Sequence, residues 1–182
     1  MEGFRLLHQV EGVAKSTTTN IIKKHDVAME DVNLQPSIQF KKIWSDNDLI
    51  ELEVRVCAEN SLFLNKVYIG INDFDDLLKE LKAFKGNIHG GIYDLRFGEF
   101  GPEYGHGAFH ARLHFYETGK GLLYISTHQE SAYQAFKNGE VASETRMYLK
   151  TEPSLFDRFI EEIGALNVGN SDEAKLDCLS QE

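Results

Sequence analysis

The strictest pattern in this chain runs from Ala108 to Tyr116, where Phe109, Ala111, Leu113 and Phe115 alternate with His110, Arg112, His114 and Tyr116. A period of two excludes a helix and predicts a strand with one apolar and one polar face. That constraint fixes the meaning of the three histidines His106, His110 and His114, which recur every four residues. On a helix, that spacing would gather imidazoles around one metal ion. On a strand, four residues span roughly 13 Å, because each residue rises about 3.3 Å. His110 and His114 therefore cannot chelate one small ion by themselves.

Similar alternation recurs elsewhere. Ile38, Phe40 and Lys42 lead to Trp44, and the SDND turn then opens ELEVRV, in which Ile50, Leu52, Val54 and Val56 oppose Glu51, Glu53 and Arg55. Further strands are predicted at Leu62–Ile71, with Val67, Ile69 and Ile71 facing the core, and at Gly91–Phe97, Leu122–His128 and Ser143–Lys150. The ETGKG segment after Tyr116, with Gly119 and Gly121, reads as a hairpin turn, so its flanking strands should be antiparallel. Trp44, the only tryptophan, is expected at the edge of the core.

Two segments change period. Phe74, Leu77, Leu78, Leu81 and Phe84 repeat at helical spacing, with Asn72 placed to cap, Asp73, Asp75 and Asp76 in the first turn, and Gly86 as a stop. The acidic run lacks the glycine and distant glutamate of a calcium loop, so it is read as helix capping. The second helix opens at TEPS, with Thr151 as cap and Pro153 in the first turn, and Leu155, Phe156, Phe159, Ile160 and Ile163 line one face up to Gly164. The expected fold is α+β, an antiparallel β-sheet of about six to seven strands packed with two amphipathic helices. Residues 1–37 are read as an N-terminal strand and loosely held connection, 38–166 as the α+β core domain, and 167–182 as a flexible acidic tail that does not pack.

Composition bounds the partners. Nineteen basic against 29 acidic residues give a net charge of −10, which repels nucleic acid and anionic membrane and attracts basic proteins. No run of about 18 apolar residues and no secretory leader is present, so a cytoplasmic chain is expected, with no membrane or nucleic-acid partner. Cys57 and Cys178 form no CxxC pair, which fits a reducing compartment, and Cys57 is read as structural.

Two regions are candidates for chemistry. The loop Gly98–Gly107 carries four glycines but lacks the Lys-Ser/Thr of a phosphate cradle. Its Glu99, Glu103 and His106 can in principle hold a divalent cation, against the simpler reading of a mobile connection. The polar strand face of His110, Arg112, His114 and Tyr116, placed beside Glu144, Arg146 and Tyr148 of a neighbouring strand, has three readings. It is a solvated sheet face, an acid–base site for phosphodiesters, or a protein-binding surface anchored by arginine and tyrosine. No GxSxG, HExxH or GxGxxG motif occurs. No catalytic, cofactor or metal residue is therefore assigned, and the site residues stand as partner-binding candidates.

The order of pieces, IWSDNDLIELEVRV, INDFDDLLKELKAFKG, GAFHARLHF, GLLYIS and TEPSLFDRFIEEI, resembles small immunity proteins of bacterial polymorphic toxin systems, in particular the WapI-like immunity group. The resemblance spans Ile38 to Leu166 and rests on hydrophobic spacing and the two helix starts. It implies a non-enzymatic cytoplasmic binding protein that neutralises a cognate toxin domain, a basic one on the sign of the charge. Because the toxin-binding surfaces of such proteins vary, it carries no residue role to this chain. The alternatives are a small enzyme or metal-binding domain using the strand face or the glycine loop, and an adaptor with a non-toxin protein partner.

Overall fold

A computed structural model of the chain describes residues 34–116 and 121–180. The expected element within residues 1–33 and the residues 117–120 of the ETGKG turn lie outside the described residues. The strands that flank that turn are antiparallel, with Phe115 opposite Leu123, and Gly121 has the positive φ of 79° expected of it.

The fold is α+β, with antiparallel sheets and two helices. In chain order the elements are β1 (Ser37–Ser45), β2 (Leu49–Ala58), β3 (Ser61–Gly70), α1 (Ile71–Phe84), β4 (Gly91–Phe97), β5 (Ala108–Phe115) and β6 (Leu123–Glu130). They continue as β7 (Gln134–Phe136), β8 (Gly139–Val141), β9 (Glu144–Thr151), α2 (Pro153–Asn167) and β10 (Glu173–Asp177). Ten strands are therefore described, somewhat more than expected, and they divide into a sheet of order β10-β1-β2-β3, a sheet of order β4-β5-β6-β9 and a β7–β8 ribbon.

The alternating sequences place their side chains as the period requires. Ile50, Leu52, Val54 and Val56 of β2 are buried, as are Phe109, Ala111, Leu113 and Phe115 of β5. Both sheets and both helices bury into one core. Phe40 of β1 sits at its centre, with ring centroids 5.3 Å from Phe97, 5.6 Å from Phe109 and 5.7 Å from Phe159, so a single side chain touches both sheets and α2. Edge-to-face packing of this kind adds to the area buried.

A polar contact pins the edge strand β3 to the second sheet. Asn65 Nδ2 donates to the carbonyl oxygens of Ala108 and Glu130, both at 2.9 Å, and Gln129 Nε2 donates to Asn65 Oδ1 at 2.7 Å. All of this is buried, so each bond replaces one lost to water and its loss would leave an unpaired polar group. Gly107 permits the approach, since an added Cβ would lie 2.2 Å from the Lys66 carbonyl oxygen.

Five expectations are corrected. The α1 N-cap is Gly70, with no side-chain cap bond, and Asn72 lies within the helix. The α2 N-cap is Glu152; Thr151 ends β9, where its hydroxyl donates to the Asp177 carbonyl at 2.7 Å. α2 continues through Gly164, which faces Leu78 of α1, to Asn167, and Gly169 with φ 77° follows it in the left-handed region that glycine tolerates. Trp44 follows a register shift between Lys42 and Trp44 and is 47% exposed, because the bulge turns it off the core-facing row.

The largest correction concerns the acidic tail. Residues 173–177 form β10, which pairs antiparallel with β1 from Lys41↔Glu173 to Ser37↔Asp177. Ala174, Leu176 and Cys178 alternate into the core, while Lys175 and Asp177 face outward. Three small or medium apolar residues at period two are enough for an edge strand, although bulk composition hides them. Burial pushes the Cys178 thiol up to about 12. Cys57 is likewise buried although it shares the polar phase of β2, and both cysteines are free thiols.

Candidate functional site

Among the described residues no helix or sheet covers the polar side of the β4-β5-β6-β9 sheet. Tyr148 is 65% exposed, Ile92 57% and Tyr116 46%, whereas the opposite side of the same strands is core. Its chemistry follows from strand order. Sequence reasoning set β5 beside β9, but β6 lies between them, and β4 flanks β5 on the other side. Residues from four strands therefore form rows across the sheet.

The central row is Arg96–His110–His128–Arg146, each residue the direct register partner of the next. The adjoining row is Asp94–Arg112–Ser126–Tyr148, and the one beyond is Ile92–His114–Tyr124–Lys150. His110 and His114 thus occupy different rows, as the strand spacing demands. The partner of His110 is His128, a histidine that sequence reasoning passed over.

Carboxylates hold both central imidazoles. His110 Nε2 lies 2.8 Å from Asp94 Oδ1, and His128 Nε2 lies 3.0 Å from Glu144 Oε2. Such partners orient the ring and place its proton on Nε2. Asp94 also accepts a two-pronged bond from Arg112, Nε to Oδ1 at 2.9 Å and an NH2 group to Oδ2 at 3.0 Å. The Arg112 bond, with help from His110, holds the Asp94 carboxyl down to about 2 and raises the Arg112 guanidinium. Phe100 stacks flat on His128, with centroids 4.2 Å apart. His114 and Tyr116 pack at 3.7 Å, and Tyr116 meets Tyr124 edge-on at 5.2 Å.

Between these groups lies a depression of about 320 Å³ lined by His110, Arg112, Ser126, Thr127, His128, Arg146 and Tyr148. Arg96, Arg146 and Lys150 make no ion pair among the described residues. The face carries four permanent cations, Arg96, Arg112, Arg146 and Lys150, against the carboxylates Asp94, Glu130 and Glu144. Glu130 is buried, accepting from the Gly101 N–H at 3.0 Å and the Tyr133 hydroxyl at 3.4 Å. It anchors the loop, and burial beside its carboxylate raises the Tyr133 phenol. The cations thus outnumber the carboxylates here, on a chain of net charge −10.

The glycine loop Gly98–Gly107 does not assemble a cation site. Glu99 and Glu103 are exposed, and His106 packs its ring against Tyr68 at 5.3 Å. Among the described residues no three His, Cys, Asp or Glu side chains converge as metal ligands. A second depression of about 460 Å³ lies between β3, α1 and β4 and is lined by Asp73, Asp76, Glu80 and Arg96 among others. There Tyr93 donates to Glu80 at 2.9 Å, and burial with that bond raises its phenol.

The structure therefore gathers six of the ten sequence candidates, His110, Arg112, His114, Tyr116, Arg146 and Tyr148, onto one face, with Glu144 at its edge. It leaves Glu99, Glu103 and His106 on the loop. It adds Asp94, Arg96, Ser126 and His128, whose outward placement was readable from alternation in IYDLRF and LYISTHQE, though their neighbours were not. Among the described residues no helix is long and apolar enough to cross a membrane. No protein-family model, no curated protein and no solved structure matches this chain.

Proposed function

We propose that the protein is a non-enzymatic binding domain, acting as an immunity protein in the cytoplasm, that neutralises a cognate toxin domain by docking on the uncovered face of the β4-β5-β6-β9 sheet. The observation that carries the reading is the exposure of Tyr148, Ile92, Tyr116 and Tyr124 around Arg112 and Arg146 on a rigid sheet. Tyrosine and arginine dominate binding hot spots because they combine large apolar area with fixed donors. Four hydrogen-bonded strands also hold them in place, which lowers the ordering cost of association.

Charge acts at two ranges. The net charge of −10 draws a basic toxin from a distance, and at contact range the excess of cations on the face suits an acidic patch of that toxin. The test is co-expression with the product of the adjacent upstream gene, scored for toxicity when that product is expressed alone. Growth rescue and co-purification are expected, and both should be lost in Tyr148→Ala combined with Arg112→Ala. Absence of complex and of rescue with the native chain would sink the immunity reading. Rescue unchanged in the double variant would move the interface elsewhere.

A further inference from the structure

The Arg96–His110–His128–Arg146 row is an expensive arrangement for a sheet. Cross-strand neighbours on one face stabilise when they carry opposite charge and destabilise when they carry the same one. Here two permanent cations flank two imidazoles, the side chains that gain charge between about pH 5 and 8. Arg146 makes no ion pair among the described residues, and it lines the same depression as both histidines.

The donors select the ligand. Arg112 and Arg146 exclude a metal cation from the depression, and Ser126 adds a hydroxyl. Arg112 spends only part of its guanidinium on Asp94, leaving N–H groups for another acceptor. Donors from β5, β6 and β9 surround the space, more than a planar carboxylate with two oxygens can use. A tetrahedral oxyanion accepts from several directions at once. The volume of about 320 Å³ is sufficient for such a group and a small remainder. A polyanion is disfavoured by the overall charge of −10, but a single phosphate is held by contacts only a few ångströms long.

We propose that this depression is an oxyanion site that takes the phosphate group of a small molecule and takes up protons as it fills. With Nε2–H committed to Asp94 or Glu144, the Nδ1 of each neutral ring is an acceptor and cannot serve an anion. Protonation turns Nδ1 into a donor, so filling the site favours the imidazolium and affinity rises as pH falls. The charged and titratable groups that face the two rings are Asp94 and Arg96 on β4, Arg112 and His114 on β5, and the buried Glu130 on β6. Glu144, Arg146 and Tyr148 face it from β9. Asp94 is already matched by Arg112, and Glu144 stands at the rim, so neither carboxylate neutralises Arg146. This goes beyond toxin binding and holds whether or not a toxin docks on the same face.

The test is a titration of the full chain with sulfate, which stays a dianion across the range, and with inorganic phosphate and glycerol 3-phosphate, followed by histidine ring resonances and calorimetry. Saturable shifts at His110 and His128 are expected, with sulfate bound about tenfold tighter at about pH 5.5 than at about pH 7.5. Arg146→Gln should weaken binding at least about tenfold, and His110→Gln combined with His128→Gln should abolish the pH dependence. Lys41→Ala, on the other sheet, should change neither. Amide spectra establish that each variant is folded, and Arg146 is exposed enough to be replaced without loss of core. Absence of saturable shifts, affinity flat with pH, or binding unchanged in Arg146→Gln would each overturn the proposal. None of these readouts involves a toxin, so toxin rescue can fail while the anion site stands, and the reverse.

Discussion

The outer faces of the two sheets are built from the same kinds of residue and solve the charge problem in opposite ways. Across the first sheet one row reads Glu173–Lys41–Glu53–Lys66, with every neighbour of opposite sign. Lys41 lies 3.4 Å from Glu173 and Lys66 3.9 Å from Glu51, so cations there have local partners. Across the second sheet the corresponding row reads Arg96–His110–His128–Arg146, with no acid in it. The first face is content with water. In the second, Asp94 and Glu144 hold the imidazoles from outside the row, while Arg96 and Arg146 make no ion pair among the described residues and stay open to a partner of opposite charge.

The comparison rests on a shared core, so the largest effect should come from breaking both faces together. Phe40→Ala should destabilise the fold by about 3–5 kcal/mol and Leu176→Ala by about 2–4 kcal/mol, measured by chemical denaturation, and should disturb amide signals in both sheets. If Leu176→Ala cost only a few tenths, the tail would not be part of the domain.

The next test reverses signs. Lys41→Glu sets a third acid into an alternating row and should cost roughly 0.5–1 kcal/mol, whereas Arg146→Glu, which puts an acid into a row that has none, should be neutral or stabilising by a few tenths. Destabilisation by both would mean that the second row is merely structural. The smallest effect concerns acid. Asp94 titrates at about 2 in the folded chain, below its ordinary 3.8, so its contribution is present above about pH 4 and is lost as pH falls toward 2. Asp94→Asn should therefore flatten that stretch of the stability curve, and an unaltered acid limb would show that the Arg112 bond contributes nothing.

How much of this was legible in the sequence depends on range. The strand Ala108–Phe115 was readable because its alternation is strict over eight residues, and both helices because large apolar residues recur at helical spacing. β10 was not, because EAKLD offers only Ala174 and Leu176 to the core and their burial depends on β1, more than a hundred residues earlier. Caps failed for a similar reason. Asn72 has the right side chain, but β3 runs directly into α1 and leaves Gly70 at the junction. The site itself was half legible. Each residue of the Arg–His–His–Arg row announces that it points outward, yet Arg96 and Arg146 stand fifty positions apart, and only strand order puts them in one row. Placing β5 next to β9 was the assumption that hid His128.

The pairing of β1 with β10 also has a consequence for synthesis. β1 is the first described strand and β10 the last, so among the described residues the hydrogen-bonding edge of β1 beyond β2 has no partner until residues 173–177 are made. A chain that has not yet placed β10 therefore carries one more open strand edge than the finished fold, the kind of surface that pairs with other chains. Residues 173–177 are thus a latch, and the lysine and glutamate that alternate beside this edge guard it until the latch closes.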